Sequence, residues 1–376
     1  MSDDFTIGVE EEFSIIDAVT GELRPRVQRL LPGAKALLGD DVQAELNLSQ
    51  IETGTSVCAT LAEVRVELQR LRRRLGEAAE QEGSRVVSAG SHPNGRWQEQ
   101  PVNPDKERYR HLEEDFRLTA RQQLVSGCHV HIGLADPDLA IAVLNRCRTW
   151  LSPLVALAAN SPFWIGVDSG YASYRTMVWS QWPTTGMPEP LADRAAYDRL
   201  VEDLTGLGVI DDATFLYWDV RPSARYDTLE FRVTDACSTV EEAVMVAGLV
   251  RALARTCATE EESGSAPPSV RGELVHGAKW RAARYGLDGE LADLSAGGKA
   301  PAAEVIARFL DHLRPALDEH GDWEEVQGLV DQTLRAGNGA SRQRAAFART
   351  GDLKAVVDHL VSETAGGAAE RPGQVR

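Results

Sequence analysis

Four short segments of the sequence alternate apolar residues with carboxylates, histidines or an arginine, and this alternation constrains the fold more than any other feature. They are residues 8–13 (GVEEEF), 45–52 (ELNLSQIE), 127–131 (GCHVH) and 228–235 (TLEFRVTD). Side chains two residues apart on a β-strand point to the same face of the sheet. Half-buried alternation of this kind is typical of antiparallel sheets, whereas strands of parallel sheets read as continuous apolar runs. The segments therefore predict a mainly antiparallel sheet.

Helices are predicted between these strands and after them. The clearest covers residues 60–82, where leucines and valines recur at helical spacing and Thr60 with Glu63 forms a capping-box pattern. A second long helix is predicted over residues 238–262 with Ser238 as its N-cap, and two strands over 214–220 and 228–234 are expected to form a hairpin. Beyond residue 264 the chain is predicted to be helical, over residues 269–285, 301–317, 323–336 and 341–361. Strands linked by helices in this way predict an α+β fold with helices flanking the sheet.

The same pattern predicts how the chain is divided. We expect one domain over residues 1–363, made of a sheet-containing core (1–262) and a helical C-terminal part (263–363), followed by a disordered tail (364–376). Residues 161–190 are rich in Trp, Gly, Pro and Ser, and we expect a long ordered loop there, because loops of this length in compact domains are usually functional.

Charge and cysteine usage exclude several classes of protein. Asp and Glu number 57 against 40 Lys and Arg, a formal net charge of −17, whereas proteins that bind nucleic acid or anionic membranes need a basic surface. The five cysteines are odd in number and lack CxxC spacing, which indicates neither a disulfide framework nor a zinc site. The acidic N-terminus has no basic start and apolar run of a secretory signal. We therefore expect a cytoplasmic protein.

Carboxylates on one strand face are the first candidates for chemistry. Glu10 and Glu12 share a face of the predicted first strand, where their charges repel each other unless they are solvated or a cation lies between them. Glu45 and Glu52 are seven residues apart, so an unbroken strand places them on opposite faces. Joint action of Glu45 and Glu52 therefore requires a bend or bulge between them. Solvated surface charge remains an alternative for both pairs.

Two further strands carry the other candidates. His129 and His131 share one strand face, a spacing found in metal sites, although a single histidine on a strand is more often structural. Glu230 and Arg232 share one face of the last predicted strand. A carboxylate binds Mg²⁺ and an arginine binds phosphate in a fork, so their juxtaposition suits a site for metal and phosphate, and a surface ion pair is the alternative.

The conjunction of these strands favours a cation site over solvated charge. Five or six acidic groups brought together in one sheet are electrostatically costly without cations. Sites of this kind that hold two or more magnesium ions usually bind nucleotide phosphates. The sequence lacks GxxxxGK[ST], GxGxxG and HExxH, so a nucleotide site here is not a P-loop.

Together, the motifs GVEEEF, ELNLSQIETGT, GCHVHIGL, NSPFWIGVDSGYASYR, WSQWPTTGMP, DVRPS and TLEFRVTDAC resemble those of the glutamate–cysteine ligase type 2 family. These are carboxylate–amine ligases of the glutamine synthetase and guanido kinase superfamily. The motifs occur in order up to about residue 262. The resemblance implies a glutamine synthetase-like catalytic fold, in which an antiparallel sheet curves into a half-barrel and binds ATP and divalent ions on its concave face.

The resemblance also assigns roles to residues of this sequence. It implies catalytic roles for Glu230 and Arg232, with Arg232 on the transferring phosphate, and substrate-binding roles for Arg175 and, less firmly matched, His131. The indole rings of Trp164, Trp179 and Trp182 fit packing and substrate contact equally well. The implied metal ligands are Glu10, Glu12, Glu45, Glu52, His129 and Glu230.

The implied reaction is formation of an amide bond from a carboxylate and an amine. It uses ATP and Mg²⁺ or Mn²⁺ and passes through an acyl phosphate, with weak glutamate–cysteine ligase activity as one form. Three other readings stay open: a kinase that phosphorylates a guanidino group, a metal-dependent hydrolase that needs no ATP, and a non-catalytic nucleotide-binding homologue. Small-molecule substrates and a homo-oligomer, plausibly a dimer, are the expected partners, with no nucleic acid and no membrane.

Overall fold

The structure is a computed structural model that describes residues 5–366. The strands are β1 (Ile7–Asp17), β2 (Val42–Ala44), β3 (Gln50–Gly54), β4 (Ser84–Val87), β5 (Gly127–Gly133), β6 (Phe163–Trp164), β7 (Val167–Asp168), β8 (Val220–Pro222), β9 (Thr228–Asp235), β10 (Glu290–Asp293) and β11 (Gly298–Pro301). The helices are α1 (Val27–Leu38), α2 (Leu61–Gln81), α3 (Glu107–Phe116), α4 (Leu118–Arg121), α5 (Pro137–Cys147), α6 (Leu151–Leu157), α7 (Tyr174–Trp179), α8 (Arg194–Gly206), α9 (Val240–Glu262), α10 (Gly272–Tyr285), α11 (Ala302–His320), α12 (Trp323–Ala336), α13 (Gly339–Thr350) and α14 (Leu353–Thr364).

The central sheet has the strand order β2-β3-β1-β5-β9-β8, with β4 paired to the far end of β1. All its pairs are antiparallel, and β2 and β8 form two open edges. The predicted α+β class with an antiparallel sheet is therefore confirmed. The strand register sets residues of distant segments side by side: Glu10 lies opposite His129, Glu12 opposite Glu52, and His131 opposite Glu230.

The two faces of β1 have different neighbours, as the alternation predicts. Val9 and Phe13 are buried in the apolar core that the sheet forms with the helices. Glu11, between them, is buried as well, and its carboxylate pairs with the Arg72 guanidinium of α2 at 2.6 Å. Arg72 also donates to the main-chain oxygens of Cys237 and Ser238. This buried ion pair ties β1, α2 and the start of α9 together, since each of its charges is stable there only while the other is present.

Both long helices begin at a capping box. Thr60 Oγ1 accepts a hydrogen bond from Glu63 N–H at the start of α2, and the Glu63 carboxylate accepts from Thr60 N–H. At the start of α9 the same exchange joins Thr239 and Glu242. The first cap was predicted, whereas the second is Thr239 rather than the expected Ser238. Both residues have a glutamate three positions later, but the Ser238 hydroxyl is buried without a hydrogen-bond partner among the described residues and Glu241 pairs with Arg65. Thr239 and Glu242 instead exchange both hydrogen bonds of the box.

Several predicted elements are divided in the structure. Residues 45–52, which alternate like one strand, are divided between the turn after β2 and the start of β3. Residues 341–361, predicted as one helix, belong to α13 and α14, which Gly351 separates in a left-handed conformation that favours glycine. The hairpin of β10 and β11 interrupts the C-terminal part that was predicted to be entirely helical. A hairpin of β8 and β9 is present as predicted, but only Val220 of the expected strand over residues 214–220 belongs to β8, and residues 213–215 form a 3₁₀ turn.

The C-terminal helices share the main apolar core with the sheet: α11 and α12 pack on α9, and α10 packs on α6. All five cysteines are buried and free. Helix α14 ends at Thr364, and residues 367–376 of the expected disordered tail lie outside the described residues. Among the described helices, none combines the length and apolar character needed to cross a bilayer. The cytoplasmic location and the homo-oligomer stay predictions.

Candidate active site

A cavity of about 650 Å³ lies over the face of the sheet that carries Glu10 and Glu12. Strands β1, β3, β5 and β9 form its floor, and residues of α3, α7 and the loops at 43–46, 214–217 and 223–226 form its walls. Eight of the nine predicted site residues line it: Glu10, Glu12, Glu45, Glu52, His129, His131, Glu230 and Arg232. The ninth, Arg175, lies behind the cavity wall.

One group of potential metal ligands joins β1, β5 and β9. Oxygens of Glu10 and Glu230 and a ring nitrogen of His131 all lie within 4.8 Å of one another. His131 Nε2 is 3.4 Å from Glu10 Oε1, and His131 Nδ1 is 3.0 Å from Thr228 Oγ1, which fixes the ring orientation. Burial raises the pKa of Glu10, but hydrogen bonds and charge from His131 and His129 outweigh burial and lower that pKa well below its usual range. Glu10 is therefore a carboxylate at neutral pH.

A second group is made of carboxylates alone. Oxygens of Glu12, Glu45 and Glu52 lie within 4.8 Å of one another. Burial, together with the charge of Glu45, raises the pKa of Glu12 to about 8. Burial and the charges of Glu10, Glu45 and Glu12 raise the pKa of Glu52 well above its usual value. The group lacks enough positive charge to hold its carboxylates ionised together.

The β2–β3 hairpin supplies the bend that joint action of Glu45 and Glu52 requires. Glu45 follows β2 in the connecting turn, and Glu52 lies on β3 opposite Gln43. Gln43 Nε2 donates to Glu52 at 2.5 Å, and the Tyr109 hydroxyl donates to Glu45 at 3.0 Å. The two carboxylates therefore meet because the chain reverses direction between them.

His129 contacts both groups. Its Nδ1 is 3.4 Å from Glu10 Oε2 and its Nε2 is 3.8 Å from Glu12 Oε1. Burial and the charge of Arg232 lower the pKa of His129 to about 4, so its ring is neutral at pH 7 and can act as a ligand. The Nε2 atoms of His129 and His131 are buried and have no hydrogen-bond partner among the described residues. The structure thus places His131, expected to contact substrate, in one ligand group, while His129 lies between the two.

Arginines surround Glu230. Arg232 Nη1 donates to Glu230 Oε1, and Arg221 Nε donates to Glu230 Oε2 at 2.7 Å. Burial alone raises the pKa of Glu230, but the charges of Arg232 and Arg221 dominate and lower it far below its usual range. Arg221 is a site residue that sequence reasoning missed. The one feature of the sequence that pointed to Arg221 is its place in the DVRPS motif. Its contact with Glu230 depends on the β8–β9 register, which sets the two residues opposite each other.

Arg175 is not among the residues that line the cavity, and its role in substrate binding stays a prediction. Its side chain is only 2% exposed, and its Nη2 donates to the main-chain oxygen of Arg232 at 3.2 Å. Its guanidinium lies over the Trp179 ring, 5.4 Å from the centroid. Trp179 and Trp182 line the cavity, whereas Trp164 packs on Tyr174 away from it.

Other residues of the cavity wall were not among the sequence candidates. The cations at its mouth are Lys106, Arg108 and Arg225, and the aromatic residues are Tyr109, Tyr217 and Tyr226. Lys106 Nζ donates to the main-chain oxygen of Ala44 and lies 4.9 Å from the centre of the Tyr109 ring. The cavity therefore has an acidic floor and basic groups along its wall, a distribution suited to cations below and anionic substrates above.

The residues present fit divalent cations of the Mg²⁺ type. Carboxylate oxygens are the ligands that Mg²⁺ and Mn²⁺ prefer, and neutral imidazole is compatible with Mn²⁺. The raised pKa values of Glu12 and Glu52 and the unpaired Nε2 atoms of the two histidines are two observations that point to missing positive charge in the site.

Two solved structures share this architecture. The glutamate–cysteine ligase of Francisella tularensis in complex with AMP has a TM-score of 0.72 and 13% identity, covering 96% of this chain and 89% of that one. A bifunctional glutathione synthetase from Pasteurella multocida also has a TM-score of 0.72, at 17% identity, covering 98% of this chain and 53% of that one. The fold is therefore that of the glutamine synthetase-like ligases.

The chain belongs to glutamate–cysteine ligase family 2, whose sequence model matches residues 6–359. A "Putative glutamate--cysteine ligase 2-2" of Frankia casuarinae is 44% identical over 358 residues. The match covers 95% of this chain but only 41% of the length of that relative. A "Putative glutamate--cysteine ligase 2" of Rhodopirellula baltica is 39% identical over 364 residues and is matched over 96% of both chains. The family expected from the sequence motifs is confirmed.

Proposed function

We propose that this chain is an ATP- and Mg²⁺-dependent ligase that joins a carboxylate to an amine through an acyl phosphate. The observation that carries the proposal is the meeting, in one cavity, of two ligand groups and the Arg232 guanidinium. A metal-bound nucleoside triphosphate needs carboxylates for its cations and a fixed cation for the phosphoryl group in transfer. Family membership and the AMP complex of the Francisella ligase support the same reading.

Cations are proposed to bind at the two ligand groups. Glu10, His131 and Glu230 form one, Glu12, Glu45 and Glu52 form the other, and His129 contacts both. When bound, Mg²⁺ or Mn²⁺ neutralises charge on the nucleotide phosphates and on the buried carboxylates.

Residues of the chain have two tasks in this reaction: binding the phosphoryl group and excluding water. Arg232, held by Glu230, binds the γ-phosphoryl group while an oxygen of the substrate carboxylate attacks phosphorus and ADP leaves. The amine then attacks the carbonyl carbon of the acyl phosphate, phosphate leaves, and the amine loses a proton. The cavity wall, with Trp179 and Trp182, excludes water, which would otherwise hydrolyse the acyl phosphate. Positioning and fixed charge thus account for most of the chemistry asked of the protein.

Glutamate and cysteine are the first substrates to test, because the relatives are named for them. The experiment measures phosphate release from ATP and Mg²⁺ with a panel of amino acids and amines, followed by mass spectrometry. We expect phosphate only when an acid and an amine are both present, with a product whose mass is their sum less water. A stable phosphoguanidine product would support the guanidino kinase instead, and turnover without ATP would support the hydrolase. ATP binding without turnover of any pair would favour the non-catalytic homologue.

A further inference from the structure

Arg175 is a buried arginine behind the cavity wall, and it contacts the main chain of a residue that lines the cavity. Arg175 is the second residue of the short helix α7, and its main-chain N–H donates to Ser161 Oγ at 2.9 Å. Ser161 Oγ in turn donates to Asp235 Oδ2, and Ser173 Oγ donates to Asp235 Oδ1, each at 2.7 Å. Asp235 is the last residue of β9. The helix that carries Arg175 is therefore anchored to the strand that carries Glu230 and Arg232.

The guanidinium of Arg175 reaches the two groups that face the cavity. Its Nη2 donates to the main-chain oxygen of Arg232, and the guanidinium of Arg232 lies over the same Trp179 ring at 5.5 Å, close to the 5.4 Å of Arg175. Its charge acts on the buried carboxylate of Asp235 and, after that, on the carboxylate of Glu12. Arg175 Nε is buried with no hydrogen-bond partner among the described residues.

Gly127 is the position that permits this approach. A Cβ atom there would lie 2.5 Å from Arg175 Nη2 and 2.8 Å from His129 Nε2, closer than any side chain allows. The N–H of Gly127 donates to Glu12 Oε2 at 2.7 Å. The same glycine therefore binds Glu12 through its main chain and leaves room for the Arg175 guanidinium beside it.

We infer that Arg175 is a positioning residue, which acts on cation binding and phosphoryl transfer through Glu12 and Arg232 and does not touch substrate. It supplies a buried positive charge behind the all-carboxylate group and fixes the main chain of Arg232. The expected effect of Arg175 on turnover rests on the proposed function. The expected effect of Arg175 on cation binding depends only on the second ligand group, which is Glu12, Glu45 and Glu52.

The test compares Arg175→Met with Arg175→Lys, and uses Arg73→Met, an exposed position on α2, as the matched control. Mn²⁺ binding is measured by the electron paramagnetic resonance signal of the free ion, without substrates. Circular dichroism and thermal unfolding check that each variant is folded. Because a fixed positive charge repels a divalent cation more strongly than it favours ionisation of one carboxylate, we expect Mn²⁺ affinity to increase by about tenfold or more in Arg175→Met. Arg175→Lys, which keeps the charge, should bind Mn²⁺ about as the wild type does.

The kinetic readout separates positioning from substrate contact. With the wild-type substrates identified, Arg175→Met should lower kcat while the KM values of acid and amine change less than the Mn²⁺ affinity does. Gly127→Ala, whose Cβ would lie 2.8 Å from His129 Nε2, should instead weaken Mn²⁺ binding. Unchanged or weaker Mn²⁺ affinity in folded Arg175→Met, or a substrate KM that changes by a larger factor than the Mn²⁺ affinity, would overturn the inference. If the wild type binds Mn²⁺ but turns over no substrate pair, the ligase proposal fails while the binding comparison still decides this one. A wild type that binds no Mn²⁺ overturns it.

Discussion

Replacing Glu12 with glutamine should flatten the pH dependence of stability in the cation-free protein. The pKa of Glu12 is raised by burial and by Glu45 from an ordinary 4.5 to about 8. Between these values the folded protein holds a proton that the unfolded chain has released, so the free energy of unfolding falls as the pH rises. Glu52 and His131, whose pKa values are also raised, act in the same direction. His129, whose pKa is lowered to about 4, acts oppositely only below its ordinary value of 6.5.

The useful window is therefore pH 6.5 to 8. Across this window the folded protein holds up to one proton more than the unfolded chain. A difference of one proton over about 1.5 pH units, at about 1.4 kcal/mol per unit, lowers the free energy of unfolding by roughly 2 kcal/mol. With entropy of unfolding proportional to length, this corresponds to about 2–3 °C in Tm for a chain of this size. Bound Mg²⁺ or Mn²⁺ should abolish the loss, because a cation replaces the proton in neutralising the carboxylates.

The assay is urea unfolding at both pH values in EDTA, for the wild type, Glu12→Gln and the exposed control Glu80→Gln on α2. The wild type and the control should lose at least about 2 kcal/mol between pH 6.5 and 8, and Glu12→Gln should lose roughly 2 kcal/mol less than they do. A pH slope in Glu12→Gln equal to that of the wild type would refute the reasoning, since it would show that Glu12 is already ionised in the folded protein.

Three further predictions concern activity and packing. Glu10→Gln should lower turnover by orders of magnitude, measured as phosphate release, with the fold retained in circular dichroism; Glu230→Gln is a poorer test because it leaves two partly buried arginines without their shared carboxylate. Arg72→Met should cost about 3–5 kcal/mol in urea unfolding, because it leaves Glu11 as an uncompensated buried charge; adding Glu11→Gln should restore part of that loss, and a double variant no more stable than the single one would contradict this. Gly248→Ala should cost about 1–3 kcal/mol by overpacking, since its Cβ would meet a side chain of α12 at 2.6 Å, and an unchanged unfolding midpoint would disprove that clash.

Local sequence patterns predicted the ligands that depend on strand period alone. Glu10 with Glu12, and Glu230 with Arg232, were correctly placed on shared faces, because the two-residue period of a strand needs no knowledge of the partner strand. The Glu45 and Glu52 pair was harder, because a period-two reading separates them and only the β2–β3 hairpin reunites them. Arg221 was missed because its role depends on the register with β9.

Arg175 shows a different limit. Its motif indicated a residue of the site, but a motif carries no information on which side of the cavity wall a side chain lies. Burial behind the wall follows from the anchoring of the start of α7 to Asp235 through Ser173 and from the space left by Gly127, contacts that span 62 and 48 residues of sequence.

By itself, the sequence determined the antiparallel α+β class, the family and the set of residues able to bind cations, since these depend on composition, local period and ordered motifs. Only the tertiary structure decided how that set is divided into two groups. The division arises because the sheet register joins Glu10 to His129 and His131 to Glu230, residues about 100 positions apart. The tertiary structure also decided which carboxylates are ionised, because a pKa depends on burial and on charges that meet only in the folded chain.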